Sequence, residues 1–107
     1  MFRALAIAAS LLCVTAVTSA GGGRTHMVAI KDMKFSPASI EIDAGDSVEW
    51  ANADDRDHTV EARDGSFRSG NMSSGDTFRH KFDKPGKFAY VCALHPRMKG
   101  QIVVKGE

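Results

Sequence analysis

Apolar and polar residues alternate along most of the chain, and this alternation predicts short strands with one buried face. The clearest run covers residues 39–43, where Ile40 and Ile42 lie between polar residues. No segment shows a convincing helical period. Further stretches carry apolar or aromatic residues along one side: Val48 and Trp50; Phe78, His80 and Phe82; Phe88, Tyr90 and Cys92; and the closing run Ile102, Val103 and Val104.

Two departures from the alternation predict local irregularities. Val28 and Ile30 are out of phase with Met33 and Phe35, which predicts a bulge near residues 31–32. Residues 63–75 are rich in glycine, serine and charge, so we expect a loop that crosses the molecule. The apolar residues of that loop, Phe67 and Met72, are its expected buried anchors.

Turn-forming residues separate the alternating runs and indicate the fold class. Ala44-Gly45-Asp46 and Pro85-Gly86 are strong turn signals between apolar segments. Several short strands joined in this way are typical of all-β proteins. We therefore predict a Greek-key antiparallel β-sandwich.

The first residues have the pattern of a secretory signal peptide. Arg3 precedes an apolar run from Ala4 to Val17, and the small residues Thr18-Ser19-Ala20 follow. The run is too short to span a bilayer comfortably and no basic stop-transfer segment follows, so we expect no stable membrane anchor. We predict a signal peptide at 1–20, a flexible lead-in at 21–27 and one domain at 28–107, exported and, in a bacterium, periplasmic.

Charge and cysteine content narrow the function. The chain has 14 basic and 13 acidic residues, and removal of Arg3 with the signal peptide leaves 13 of each. The basic residues are scattered, so the footprint of a nucleic-acid binder is missing. Of the two cysteines, Cys13 falls in the signal peptide, which leaves Cys92 without a disulfide partner. A small exported domain usually needs a covalent or metal staple, so a lone thiol suggests metal ligation.

The segment 92–98 holds the strongest chemical signal. Cys92, His95 and Met98 place a thiolate, an imidazole and a thioether where a strand gives way to a turn. A turn can bring three side chains to one point, whereas a continued strand would send alternate ones to opposite faces. His58 supplies a second imidazole at the start of a predicted strand, His58-Thr59-Val60-Glu61. Two strands of a sandwich can bring these four donors together at one end.

The donor set favours copper. A thiolate, two imidazoles and a weak thioether suit an ion that alternates between Cu(II) and Cu(I). Zinc also accepts cysteine and histidine, but structural zinc sites usually have more cysteines and no thioether. A dinuclear copper centre would need a second cysteine. We therefore predict one mononuclear copper ion.

With these residues in view, the sequence resembles the plastocyanin/amicyanin group of cupredoxins. The resemblance runs from about Val28 to Val104 and includes the gap of two residues between His95 and Met98, which is the amicyanin spacing. The other matching stretches are Met33-Lys34-Phe35, Gly45-Asp46-Ser47-Val48-Glu49-Trp50, Asn52, Phe67-Arg68-Ser69-Gly70, Phe82-Asp83-Lys84-Pro85-Gly86 and Tyr90-Val91-Cys92.

The resemblance implies a role for each site residue. His58, Cys92 and His95 would form a trigonal set on a type 1 (blue) copper, with Met98 as a long axial contact. Asn52 would tie the His58 loop to the cysteine loop by hydrogen bonds. His95 would be the electron port, with Leu94 and Pro96 in an apolar docking rim.

Two residues depart from the family pattern. Ala93 lacks the hydroxyl that is common after the cysteine, so a side-chain link from Asn52 to that position is lost. Leu94 stands where amicyanin has proline, so its N–H is free. If that N–H donates to the Cys92 sulfur, it favours Cu(I), and we expect a higher reduction potential than in a proline-bearing protein.

The function implied is a monomeric electron shuttle that is not an enzyme, since a closed site has no open coordination position. The resemblance implies an amine dehydrogenase as donor and a c-type cytochrome as acceptor. The alternatives are a copper chaperone or storage protein and a structural sandwich with an incidental cysteine. We expect His80 to be a partly buried structural residue and Met33 to be a core residue that packs near the copper end. Arg97 and the charged run 54–57 either lie near that end and give it mixed charge or form an ordinary solvated loop.

Overall fold

The computed structural model describes residues 23–106, and in this range the chain forms eight strands. The predicted signal peptide and Cys13 lie outside the described residues. The strands are β1 (Thr25–Lys31), β2 (Lys34–Ser36), β3 (Ser39–Asp43), β4 (Ser47–Asn52), β5 (Glu61–Ala62), β6 (Thr77–Lys81), β7 (Gly86–Cys92) and β8 (His95–Lys105). No helix in the described range is long and apolar enough to cross a bilayer.

The strands form two four-stranded sheets, in the orders β2-β1-β4-β6 and β3-β8-β7-β5. The predicted all-β sandwich is confirmed, but the sheets are mixed rather than antiparallel throughout. β1 lies parallel to β4, and β3 lies parallel to β8. The chain changes sheet between β2 and β3 and at each later connection up to β7, and such crossovers allow a strand to return parallel to an earlier one.

Aromatic side chains fill the space between the sheets. Trp50 is fully buried; its ring stacks on Phe67 and Phe78 and meets Tyr90 edge to face. Offset and edge-to-face pairs of this kind add about 0.5–1.5 kcal/mol each beyond the burial of apolar area. Phe67 and Met72 are buried as predicted, so the loop after β5 is anchored to the core.

The first hairpin differs from the expected bulge. Asp32 and Met33 have positive φ angles of 53° and 62°, and Lys31 pairs directly with Lys34. Two consecutive residues with positive φ form the tight turn that best matches the twist of the flanking strands. The phase change between Ile30 and Phe35 is therefore a two-residue hairpin turn.

The structure also moves two predicted boundaries. β1 begins at Thr25, where it pairs with Ser47, so residues 25–27 belong to the sheet rather than to the flexible lead-in. β8 begins at His95, well before the predicted start at Ile102. Because β7 ends at Cys92, β7 and β8 meet at the segment that carries the predicted ligands.

Candidate metal centre

Three predicted ligands converge at one end of the sandwich. Cys92 is the last residue of β7 and His95 is the first of β8, so the turn 93–94 brings both side chains to the same edge. His58 comes from the loop after β4, where its backbone pairs with Met72. The donor atoms of His58, Cys92 and His95 all lie within 4.8 Å of one another.

The spacing of these donors fits a single metal ion. Cys92 Sγ lies 3.7 Å from His58 Nδ1 and 3.7 Å from His95 Nδ1. Bonds of about 2.0–2.1 Å to nitrogen and about 2.3 Å to thiolate sulfur place two donors about 3.6–3.8 Å apart at angles between tetrahedral and trigonal. The observed distances are therefore those of side chains arranged around one first-row ion.

Met98 lies beside this cluster. Its side chain is only 4% exposed, and it lines the same surface cavity as His95. That cavity has a volume of about 450 Å³ and is walled by Met33, Leu94, His95, Pro96, Arg97 and Met98. Met33 lies near the copper end as expected, but it is 36% exposed, so the expectation of a core residue is wrong. A thioether next to a thiolate and two imidazoles completes a donor set that suits copper.

A buried carboxylate orients His58. His58 Nε2 lies 2.9 Å from Asp54 Oδ2, and both side chains are buried. The same carboxylate accepts the N–H groups of Met33 at 3.1 Å and Asp32 at 2.7 Å. The hydrogen bond from the Met33 N–H is the main cause that keeps the pKa of Asp54 below its ordinary value. The hydrogen bonds from Asp32 and His58 act in the same direction, whereas burial opposes them. An ionised Asp54 accepts a hydrogen bond from the Nε2–H of His58, which leaves the Nδ1 lone pair facing the sulfur.

Sequence reasoning missed the role of Asp54, which was interpreted as part of a solvated loop. The available signal was a carboxylate four residues before a candidate histidine ligand, since metal-binding histidines commonly donate their second N–H to a carboxylate. That signal is weak by itself because three aspartates lie in the segment 54–57.

Hydrogen bonds to the sulfur come from Thr59. Its backbone N–H donates to Cys92 Sγ at 3.3 Å, and its hydroxyl lies 3.9 Å from the same atom. Ala93 N–H donates to Thr59 Oγ1 at 2.7 Å, so the hydroxyl proton is free to point at the sulfur. Thr59 therefore joins the His58 loop to the cysteine loop, a role that the sequence did not reveal.

The structure gives Asn52 and Leu94 contacts other than those expected. Asn52 donates to the carbonyls of Arg56 and Met72 and accepts from Asp54 N, so it ties its own loop to the loop after β5. Within the described residues it forms no hydrogen bond with the cysteine loop. Leu94 is 52% exposed in the turn between β7 and β8. Among residues 23–106, the backbone donor to Cys92 Sγ is Thr59 and not Leu94.

The other two described histidines lie outside the cluster. His80 packs between Phe67 and Phe82, as expected of a structural residue, and burial lowers its pKa. His26 pairs with the buried carboxylate of Asp46 at 2.9 Å.

The strand predicted at 58–61 is shorter than expected, since β5 holds only Glu61–Ala62.

Comparison with known proteins agrees with this geometry. Amicyanin-alpha of Methylorubrum extorquens is 32% identical, with 96% of this chain and 99% of that protein covered. The Cu(I) form of an amicyanin variant superposes with a TM-score of 0.72 at 26% identity, covering 76% of this chain and 82% of the other. A purple cupredoxin from Nitrosopumilus maritimus gives 0.69 at 28% identity, covering 75% and 99%. The profile of the cupredoxin-like domain matches residues 4–104, and the chain belongs to that family.

Proposed function

We propose that the protein is a mononuclear type 1 copper protein that shuttles single electrons between redox partners. The observation that carries this proposal is the buried Cys92 sulfur with two imidazole Nδ1 atoms, each 3.7 Å away. A copper ion held there would supply a one-electron Cu(II)/Cu(I) couple. Met98 would be its weak axial ligand.

The chain holds these donors in place before any metal arrives. Asp54 fixes the His58 ring, and Thr59 fixes the position of the sulfur relative to the same loop. Ligands that are already oriented move little when the charge at the site changes, so the reorganisation that accompanies electron transfer is small. His95 is half-buried at the surface cavity, which makes its ring the proposed electron port.

The apolar wall around His95 supports a carrier rather than an enzyme. Leu94 and Pro96 are exposed beside it and offer a surface for brief docking. Four protein donors would leave the ion no open position for a substrate. As partners we propose redox proteins, with an amine dehydrogenase as donor and a c-type cytochrome as acceptor, and we propose a monomer.

The proposal includes export. Residues 1–20 would be removed as a signal peptide, the next few residues would lead into the domain that starts with β1 at Thr25, and the mature protein would be periplasmic in a bacterium. The resemblance to amicyanins and the basic, apolar and small-residue pattern of the first twenty residues support this.

The first test is the visible spectrum of the mature protein after addition of Cu(II), then after ascorbate. We expect an intense blue thiolate-to-copper band that bleaches on reduction and returns on oxidation. Cys92→Ser is the matched control, since it keeps the shape of the side chain and removes the thiolate. A colourless wild-type product with the thiol intact would overturn the proposal.

One observation supports copper handling as a second candidate. Met33 lies beside Met98 in the wall of the cavity, and thioethers favour Cu(I). A handling protein would release Cu(I) readily to a chelator such as bathocuproine, whereas an electron carrier would retain it through repeated redox cycles. Met33→Leu should leave release unchanged in a carrier and slow or abolish handover in a chaperone.

A further inference from the structure

We infer that the electron-transfer partner presents carboxylates next to its apolar contact surface, and that these carboxylates face Lys34, Arg97 and Lys99. These three residues are called the basic rim below. The inference rests on the proposed electron-carrier function and adds the chemistry of the partner and the direction in which it docks.

The basic rim is continuous with the surface above the metal centre. A second concavity, of about 150 Å³, has Lys34 and Lys99 in its wall. It shares Met33, Arg97 and Met98 with the larger cavity beside His95. A partner seated on the exposed edge of His95 would therefore extend over the basic rim on the same side.

The cations of the basic rim are available to a partner. Lys34, Arg97 and Lys99 are all exposed. Among residues 23–106, none of the three forms an ion pair, and no carboxylate lines either cavity. The whole chain has a net charge of only +1, so attraction of an acidic surface would depend on this local cluster of cations and not on the overall charge.

Within residues 23–106, no carboxylate of the acidic loop near the metal centre forms an ion pair with the basic rim. Asp54 points inward and is taken up by His58 and the hairpin N–H groups. Asp57 accepts a hydrogen bond from Asn71 at 3.0 Å. Only Asp55 is left on that loop without such a contact within the described range.

An acidic protein surface fits this arrangement better than an anionic lipid surface. The electron leaves or enters through His95, so whatever covers that edge must itself contain a redox centre, and a lipid headgroup does not. Complementary charge around an apolar contact raises the association rate and fixes orientation while leaving the complex short-lived, which suits a carrier that must exchange partners.

The first experiment measures the oxidation of the copper-loaded, reduced protein by ferricyanide in stopped flow. Lys34→Glu/Lys99→Glu reverses two charges of the basic rim. Lys84→Glu/Lys87→Glu makes the same charge change near the Pro85-Gly86 turn, at the end of β7 away from Cys92. At low ionic strength we expect the rim variant to react about tenfold more slowly than wild type and the control to change by less than about twofold.

Ionic strength and oxidant charge complete this experiment. The difference between the variants should disappear at high salt, and a cationic oxidant such as tris(phenanthroline)cobalt(III) should react faster with the rim variant. Equal effects of the two variants would overturn the inference. A blue protein with equal rates contradicts only the docking surface, whereas a protein without the blue band contradicts the proposed function itself.

The second experiment locates the contact with an acidic peptide. Hexaglutamate is added to the reduced, ¹⁵N-labelled protein, and amide shifts are followed by NMR. We expect the largest shifts at Lys34, Ala38 and Lys99, and none of comparable size at Lys84 or Lys87. Shifts centred on the far end would overturn the inference. A second result would also overturn the inference: shifts at the basic rim that appear in the absence of peptide and grow with protein concentration. Such shifts would show that a second copy of the chain occupies this surface.

Discussion

His58 and His95 stand at the same distance from one sulfur but in opposite surroundings. His58 is 0% exposed and its second ring nitrogen is held by a buried carboxylate. His95 is half-buried in the wall of a surface cavity, and its ring meets that of His58 edge to face with centroids 5.0 Å apart. The inner imidazole is fixed by the protein, while the outer one faces the solvent.

This difference separates two requirements of an electron carrier. The inner side has to keep the donors in one geometry through both oxidation states, and it does so with hydrogen bonds that are shielded from water. The outer side has to let a second protein come close, so His95 is surrounded by apolar residues and, within residues 23–106, pairs with no carboxylate. Substitutions that disrupt either the inner or the outer side of the metal centre can test whether the two requirements are met by different residues.

The largest effect is expected from removing each imidazole in turn. His58→Gly leaves a buried cavity and removes one of the hydrogen bonds to the buried Asp54 carboxylate, so we expect loss of the blue band and a fall in stability of about 3 kcal/mol. His95→Gly opens onto the surface cavity, so added imidazole should restore the band. Visible titration with imidazole and urea unfolding check both. Rescue of His58→Gly by imidazole would contradict the distinction between the two sides.

Next in size is the loss of the brace on the inner side. Asp54→Ala frees the His58 ring and removes the acceptor for two hairpin N–H groups. We expect copper affinity to fall about 10–100-fold, as for other partners of metal-binding histidines. Competition with a chelator measures the affinity, and Asp55→Ala, at the exposed neighbouring position, is the matched control. Equal copper affinities of the two variants would show that Asp54 does not orient His58 for metal binding.

A second carboxylate–histidine pair, away from the metal, sharpens the comparison. The Arg24 N–H, with further donors including His26, lowers the pKa of Asp46 from 3.8 to about 2. Because the pKa is lowered in the folded state, the ionised carboxylate stabilises the fold above about pH 4, and this contribution is lost as the pH falls toward 2.

Asp46→Asn should therefore cost about 2 kcal/mol near neutral pH, with the difference from wild type shrinking toward zero near pH 2. Urea unfolding of the metal-free protein across this range measures it. Asp43→Asn, at an exposed position, is the control. A difference that stays constant with pH would show that the charge of Asp46 is unimportant.

The smallest effect concerns the sulfur that both imidazoles share. Thr59→Val keeps the backbone N–H and removes the hydroxyl, so the thiolate becomes more electron-rich and Cu(II) is favoured. Loss of a hydrogen bond of about 1 kcal/mol corresponds to a fall of about 40 mV in a one-electron potential. Voltammetry measures it, with Thr59→Ser as the variant that retains the hydroxyl. Leu94→Pro should shift the potential less, since Thr59 supplies the donors that the structure shows.

The parts of the molecule that were predictable from sequence are those set by local rules. Alternation predicted strands and the buried aromatic residues, and ligand chemistry within a short segment predicted Cys92, His95 and Met98. Strand direction was not predictable, because alternation shows which face is buried and not which neighbour pairs with it. The parallel pairings of β1 with β4 and β3 with β8 depend on the route of the chain between the sheets.

The parts that sequence reasoning missed depend on contacts between distant segments. Asp54 gained its role because the turn at Asp32 and Met33 aims two N–H groups at it. Thr59 gained its role because residue 93 approaches its hydroxyl from the other end of the domain. Neither contact can be inferred from the spacing of residues or the hydropathy pattern along the sequence.

The hairpin turn at Asp32 and Met33 has a consequence for protein engineering. A ligand loop such as 92–98 looks transferable, since it carries three of the four donors on contiguous residues. The fourth donor, however, is set by a carboxylate that the hairpin at the opposite end of the sequence holds in place. A scaffold that received the loop without that hairpin would acquire the ligands but not the orientation of its inner imidazole. The hairpin and Asp54 are therefore part of the minimal unit that a transplant must contain.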